Sequence, residues 1–173
     1  MLVNTLIMAT APLLAVRLLA ELDFAPWQYG LAFGVPCLGG LIGSRLARPL
    51  VARYGQRAVL LTAGTLRACW PIALVFIGPG TAGLVFVMVV EFGLITSIGV
   101  FNPVLAAYRL EHTAADYVAR VLSAWSVTRN ALTAAATVLW GLLASVSDTR
   151  TAIGVAGLLL LATPALLPTG SRP

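Results

Sequence analysis

Charged residues are scarce in this sequence, and so are histidine and cysteine. Asp, Glu, Lys and Arg make up 10% of its 173 residues, and 60% of the residues are hydrophobic. Soluble domains carry roughly a quarter charged residues. The composition therefore excludes a soluble globular domain and predicts a protein of the lipid bilayer. It also excludes a nucleic-acid-binding domain, because a basic surface that binds nucleic acid must face water.

The few residues with catalytic side chains argue against an enzyme. A membrane serine protease needs a serine and a histidine inside the bilayer, and the one histidine, His112, lies in a polar segment. No HExxH sequence and no pair of intramembrane aspartates occurs. Cys37 and Cys69 fall within apolar runs, where a thiol packs as a small hydrophobe. We expect no enzymatic activity, no metal site, no cofactor and no disulfide.

Long apolar runs fill most of the chain. A spanning helix needs about 20 mostly apolar residues, so this length accommodates about six spans with short connections. The sequence predicts an all-α membrane protein of one domain, 1–173. The expected spans are about 2–20, 27–46, 58–77, 81–106, 118–146 and 151–166.

A basic stretch, Gly43–Arg57 (GSRLARPLVARYGQR), separates the second span from the third. We interpret it as a hairpin loop that stays on the cytoplasmic side, as loops rich in Lys and Arg do. With six spans, the same side then collects seven arginines and the other side only Arg17 and Arg150. This bias predicts a multi-pass protein of the cytoplasmic membrane with both termini in the cytoplasm. The seven are Arg45, Arg48, Arg53, Arg57, Arg109, Arg120 and Arg172.

Glycines recur at four-residue steps along the second span. Gly30 precedes Gly34, and Gly39 precedes Gly43. Small residues at this spacing allow another helix to approach closely. We therefore expect close helix packing on this face.

Three ionisable residues lie deep within the predicted spans. At a rise of about 1.5 Å per residue, Arg67 lies about 15 Å beyond Arg57, Glu91 about 15 Å beyond Thr81, and Arg129 about 14 Å beyond Arg120. A lone charge at that depth costs at least about 2.5–3.5 kcal/mol. Such residues pair with one another or line a wet cavity.

Polar residues on two spans favour a hydrophilic path. Ser126, Asn130, Thr133 and Thr137 share one helical face beside Arg129. Glu91 and Asn102 are about three turns apart and share a face of the fourth span. The candidate substrate or proton path consists of Glu91, Asn102, Arg129 and Asn130. The alternative is a structural ion pair that joins Glu91 to Arg67 or Arg129.

The basic stretch resembles the signature loop of the major facilitator superfamily. Arg53–Arg57 (RYGQR) resembles the end of that loop, and Gly43 resembles its opening glycine. Ala52 and Gln56 depart from it, because the family usually has an acidic residue at the first position and often Arg at the second. Asp116–Ser123 (DYVARVLS) is similar to the start of the fifth span in the carboxy-terminal half of drug-efflux-like members.

The resemblance implies a fold and a function. The fold is one six-helix, three-plus-three inverted-repeat half of a transporter whose two halves rock about a shared site. The first and fourth spans would line the cavity, and the second and fifth, with their glycine steps and polar stripe, would meet the other half. Gly43, Arg53, Gly55 and Arg57 would form a gating loop.

The function implied is secondary active transport of a small molecule out of the cell. The expected partners are the lipid bilayer, a small-molecule substrate, and a second six-helix half or a second copy of the chain. The alternative is a truncated or partner-dependent half that has no transport activity of its own.

Overall fold

The computed structural model describes residues 2–111, 117–147 and 149–162, and within these ranges the chain is helical with no strand. A π-helical turn, Arg17–Glu21, follows α1, and a short 3-10 helix, Leu74–Phe76, follows α4. The seven α-helices described are α1 Leu2–Val16, α2 Pro26–Gly34, α3 Cys37–Tyr54, α4 Gln56–Ala73, α5 Gly80–Glu111, α6 Val118–Val146 and α7 Thr149–Ala162.

The second apolar segment is broken once, at Val35–Pro36, between α2 and α3. α2 begins at Pro26, which suits the first helical position because its missing N–H would be unsatisfied there anyway. The backbone N–H of Ala25 donates to Oε1 of Gln28 at 2.8 Å. Together α2 and α3 carry the chain from residue 26 to residue 54.

The predicted basic loop is wrong in its extent. Residues 43–54 belong to α3, and Gly55 alone connects α3 to α4. Arginine is a good helix former, and its long side chain can carry the guanidinium to water from a helix end. The reversal needs one residue with positive φ, and Gly55 has φ 81°, which costs glycine little. The polar segment expected between the fourth and fifth spans is likewise helical as far as Glu111, and residues 112–116 lie outside the described ranges.

Several of these helices are long and apolar enough to cross a membrane. By length and composition, four segments of the described chain qualify: Val3–Glu21, Pro26–Tyr54, Gln56–Phe76 and Gly80–Glu111. A further apolar helix, Thr151–Leu160, is shorter, and α6, the predicted fifth span, is not among the four. The last residues of the predicted sixth span lie outside the described ranges. The described part of the chain is all-helical, and its apolar helices indicate a multi-pass membrane protein.

Six of the described helices pack in two groups of three, one around α5 and one around α1. α5 packs against α3 and α4, while α1 packs against α6 and α7. α4 also packs against α7. The largest core cluster joins α1, the end of α4, the start of α5 and α7, with Leu18, Val87 and Ala156 fully buried. Large apolar side chains also face outward, such as Phe76 at 71% exposure, as a lipid environment permits.

The close approach predicted for Gly39 and Gly43 is confirmed. A Cβ at Gly39 would lie 2.9 Å from the carbonyl oxygen of Phe92, and one at Gly43 would collide with the carbonyl oxygen of Thr96. Both glycines are buried against α5. They therefore do not face outward toward a second half, as the resemblance had implied. Gly30 and Gly34 have open space around them instead.

Candidate functional site

A cavity of about 160 Å³ lies between α1, α2, α4 and α5, and the carboxylate-bearing side chain of Glu91 lines it. Glu91 is 6% exposed. Near the middle of α5, its neighbours on the same helix face are Leu94, Ile95 and Ile98, which also line the cavity. A buried acid thus lines a small, partly open cavity between these helices.

The wall of this cavity is otherwise apolar. Ile7, Met8 and Leu14 of α1, Phe33 of α2 and Leu74 beyond α4 contribute hydrocarbon surface. Thr10 of α1 also lines the cavity, but its hydroxyl donates to the carbonyl oxygen of Ile7 at 2.8 Å. Among the described residues of the wall, Glu91 is therefore the one with an ionisable side chain. A cation or a proton entering this volume would interact with Glu91 in a low-dielectric setting, which strengthens charge attraction.

Asn102 continues the stripe of Glu91 but is not in the cavity. It follows Ile98 by about one turn of α5, and its side chain is exposed. The structure therefore separates the two polar residues predicted for the fourth span. One lies in the interior of the bundle and the other at its surface.

Arg129 and Asn130 lie apart from Glu91, on the exposed face of α6. Both side chains are exposed, as is Ser126 one turn earlier. Thr133 and Thr137 donate their hydroxyl hydrogens to carbonyl oxygens of α6 itself, at 2.9 and 2.8 Å. The predicted polar stripe is present on this helix, and its charged residue, Arg129, is exposed and does not line the cavity.

Arg67 does not pair with Glu91. The described residues contain an ion pair between Arg17 and Glu21 but none between Arg67 and Glu91. Arg67 is buried on α4, and its guanidinium carbon lies 3.6 Å from the centroid of the Phe101 ring. The predicted ion pair is thus replaced by a cation–π contact, which is attractive for a desolvated guanidinium.

A double-mutant cycle distinguishes these two partners of Arg67. We expect Arg67→Met and Phe101→Leu to be coupled by about 0.5–2 kcal/mol in unfolding free energy. Arg67→Met and Glu91→Gln should be independent within about 0.5 kcal/mol. Thermal or denaturant unfolding in detergent measures both cycles. A strong coupling to Glu91 with none to Phe101 would contradict the observed placement of the guanidinium.

The residues predicted to form a gating loop lie on two helices and the turn between them. Gly43 is buried in α3, Arg53 is exposed near its end, Gly55 is the connection, and Arg57 is exposed at the start of α4. The guanidinium carbon of Arg53 lies 5.4 Å from the centroid of the Tyr54 ring. Close by in sequence, Nε2 of Gln56 donates weakly to Oε2 of Glu111 at 3.5 Å, which connects α4 to the far end of α5.

Sequence reasoning missed the cavity residues of α1 and α2. Thr10 and Phe33 lie on separate helices, and nothing in the linear pattern places them beside Glu91. The one available signal was Thr10, a polar residue within an apolar run two positions before Pro12. Among the described residues, no group of three His, Cys, Asp or Glu side chains comes together as metal ligands.

Comparison with known proteins gives no relative on which to base a function. No protein-family model matches the chain, and neither the curated proteins nor the solved structures contain a significant match.

Proposed function

We propose that this chain is a six-span half of a secondary active transporter of the major facilitator type, which moves a small molecule across the cytoplasmic membrane in the outward direction. The observation that carries the proposal is Glu91, a buried carboxylate in a cavity lined mainly by α1 and α5. Intramembrane ionisable residues that face a bundle interior commonly mark ion or substrate pathways.

The helix pairing supports an inverted repeat. The six proposed spans are α1, α2 with α3, α4, α5, α6 and α7. In such a repeat, the first, second and third spans correspond to the fourth, fifth and sixth. The α3–α5 contact then corresponds to the α6–α1 contact, and the α4–α5 contact to the α7–α1 contact. The α4–α7 contact maps onto itself. Pairs related in this way are what an internal three-plus-three repeat produces.

In this proposal Glu91 binds the coupling proton or a cationic group of the substrate. Its carboxylate is the charged group of an otherwise apolar wall, so binding there neutralises a buried charge. Rocking of two halves about such a site would expose it to one side of the membrane and then to the other. Asn102, exposed further along α5, would meet the substrate path outside the cavity.

A direct test is transport by the purified chain in sealed vesicles. A pH-sensitive dye inside the vesicles would report proton movement across the membrane. A pH gradient is imposed, and amines, carboxylic acids and sugars are then added in turn as candidate substrates. Proton flux that depends on one of these classes and on the protein supports the proposal. Its absence in vesicles where the chain is shown to be inserted and paired with its partner argues against it.

The exposed face of α6 favours a second candidate, a half that works only with a partner. Arg129 and Asn130 are exposed near the middle of α6, where contact with lipid would cost at least about 2.5–3.5 kcal/mol for the charge. In this candidate, a second six-helix half or a second copy of the chain covers the face, and the chain alone does not transport.

Photocrosslinking tests whether α6 has a partner. We expect Asn130→Cys, labelled with a thiol-reactive photocrosslinker in a cysteine-free background, to form a protein–protein product in membranes. Twice the mass of the chain would indicate a second copy, and another mass a different half. Leu61→Cys on the exposed side of α4 is the matched control and should give none. Equal lipid-only labelling at both positions would contradict a partner on α6.

A further inference from the structure

A second hollow, separate from the Glu91 cavity, runs along the outside of the bundle. It is a groove of about 440 Å³ between α3 and α4 with α5 as its floor. Its walls include Leu46, Leu50 and Tyr54 of α3 and Ala58, Thr62 and Leu66 of α4. None of its lining residues also lines the Glu91 cavity. The groove has no role in the proposed transport.

The groove surface behaves as hydrocarbon even where hydroxyl groups line it. Thr62 donates to the carbonyl oxygen of Ala58 at 2.8 Å, and Thr96 to that of Phe92 at 2.7 Å. Ser97 donates to the carbonyl oxygen of Gly93 at 2.8 Å. Because these hydroxyl hydrogens are already engaged within their own helices, the groove suits an acyl chain better than a polar solute.

Two exposed arginines flank one end of the groove in the sequence. Tyr54 and Ala58, which line its end, flank the Gly55 connection, and Arg53 and Arg57 are their immediate neighbours in sequence. Both arginines are exposed, and neither forms an ion pair within the described part of the chain. From Leu46 to Tyr54 the groove wall extends about 12 Å inward from this charged end. An apolar slot with two exposed arginines beside one end complements a molecule with an anionic head and a hydrocarbon tail.

We infer that an anionic phospholipid occupies this groove, with an acyl chain between α3 and α4 and its phosphate held by Arg53 and Arg57. Basic pockets between membrane helices bind anionic head groups in this way. The lipid comes from the leaflet at the Gly55 end of the helices. Its binding is independent of whether the chain transports a substrate.

Native mass spectrometry of the full chain tests the role of the arginines. Phosphatidylglycerol and phosphatidylcholine with identical acyl chains are titrated onto the purified protein. We expect tighter retention of phosphatidylglycerol, and about fivefold weaker binding for each of Arg53→Gln and Arg57→Gln, with little change for phosphatidylcholine. Arg120→Gln, at an exposed position on α6, is the matched control and should leave both affinities unchanged. Equal retention of the two lipids, or an equal loss in the control, would overturn the inference.

Filling the groove tests the acyl-chain part separately. Ala58→Trp places a large side chain in the groove from an exposed position and should weaken phosphatidylglycerol binding, whereas Ala82→Trp, exposed at the other end of α5, should not. Because both substitutions are at exposed positions, unchanged helical content by circular dichroism is expected for both. If Ala58→Trp dissociates a dimer and leaves lipid binding unaltered, the groove is the contact surface for a second copy. That result would refute a lipid site.

Discussion

Glu91→Gln is expected to lower substrate-dependent proton flux in vesicles by at least about 30-fold. The substitution keeps the size of the side chain and removes its charge and its ability to exchange a proton. A carboxylate and a cation about 4 Å apart attract by about 4 kcal/mol at an effective dielectric constant of about 20. Even half of that attraction corresponds to about 30-fold in affinity.

The matched control is the other glutamate of the same helix. Glu111 is exposed at the end of α5 and bonds weakly to Gln56, far from the cavity. Glu111→Gln should therefore change flux less than about twofold, since exposed charges contribute little. Native flux in the Glu91→Gln protein would remove Glu91 from the mechanism, and an equal loss in both variants would show that the effect is not specific to the cavity.

Two glycine-to-alanine substitutions should change stability in opposite directions. Alanine favours a helix over glycine by about 0.5–1 kcal/mol, so Gly30→Ala, with open space around it, should stabilise the fold. At Gly43 the new Cβ would collide with the carbonyl oxygen of Thr96 and lie 3.1 Å from Cα of Gly99. Overpacking of this kind typically costs about 1–3 kcal/mol, which exceeds the helical gain.

Thermal unfolding of the purified variants in detergent measures this difference. We expect a higher melting temperature for Gly30→Ala and a lower one for Gly43→Ala than for the native chain. Gly43 faces backbone atoms of α5, which cannot move aside unless the two helices separate. A stabilised Gly43→Ala protein would mean that α3 and α5 do not pack as closely as the structure shows.

Long apolar helices and the burial of Glu91 could be predicted from the sequence because both follow from local quantities. Apolar runs of sufficient length predict helices that could cross a membrane, and a lone acid within such a run is expected in the interior of the bundle. The close packing at Gly39 and Gly43 could also be predicted, because small residues four positions apart lie on one helix face. The structure places that face against α5, within the chain, and the sequence carried no information about which helix would cover it.

The partner of Arg67 could not be predicted because it depends on how α4 is rotated against α5. Equal depth made Glu91 a reasonable partner, yet the guanidinium lies over Phe101, ten residues further along α5.

The extent of the basic loop was missed for a different reason. A cluster of arginines suggests exposed irregular structure, whereas a single glycine with positive φ is sufficient to reverse the chain between two helices.

We infer that the helices cross a membrane with the Gly55 connection at one face and the turn after α4 at the other. Cysteine accessibility in sealed vesicles of known orientation tests this arrangement. Cys37 and Cys69, both free, are first replaced by alanine, and single cysteines are then introduced at Arg57 and Pro79, which are exposed. A membrane-impermeant maleimide should label Arg57→Cys only from the cytoplasmic side and Pro79→Cys only from the opposite side. Labelling of both positions from the same side, or recovery of the protein in the water-soluble fraction, would contradict the account.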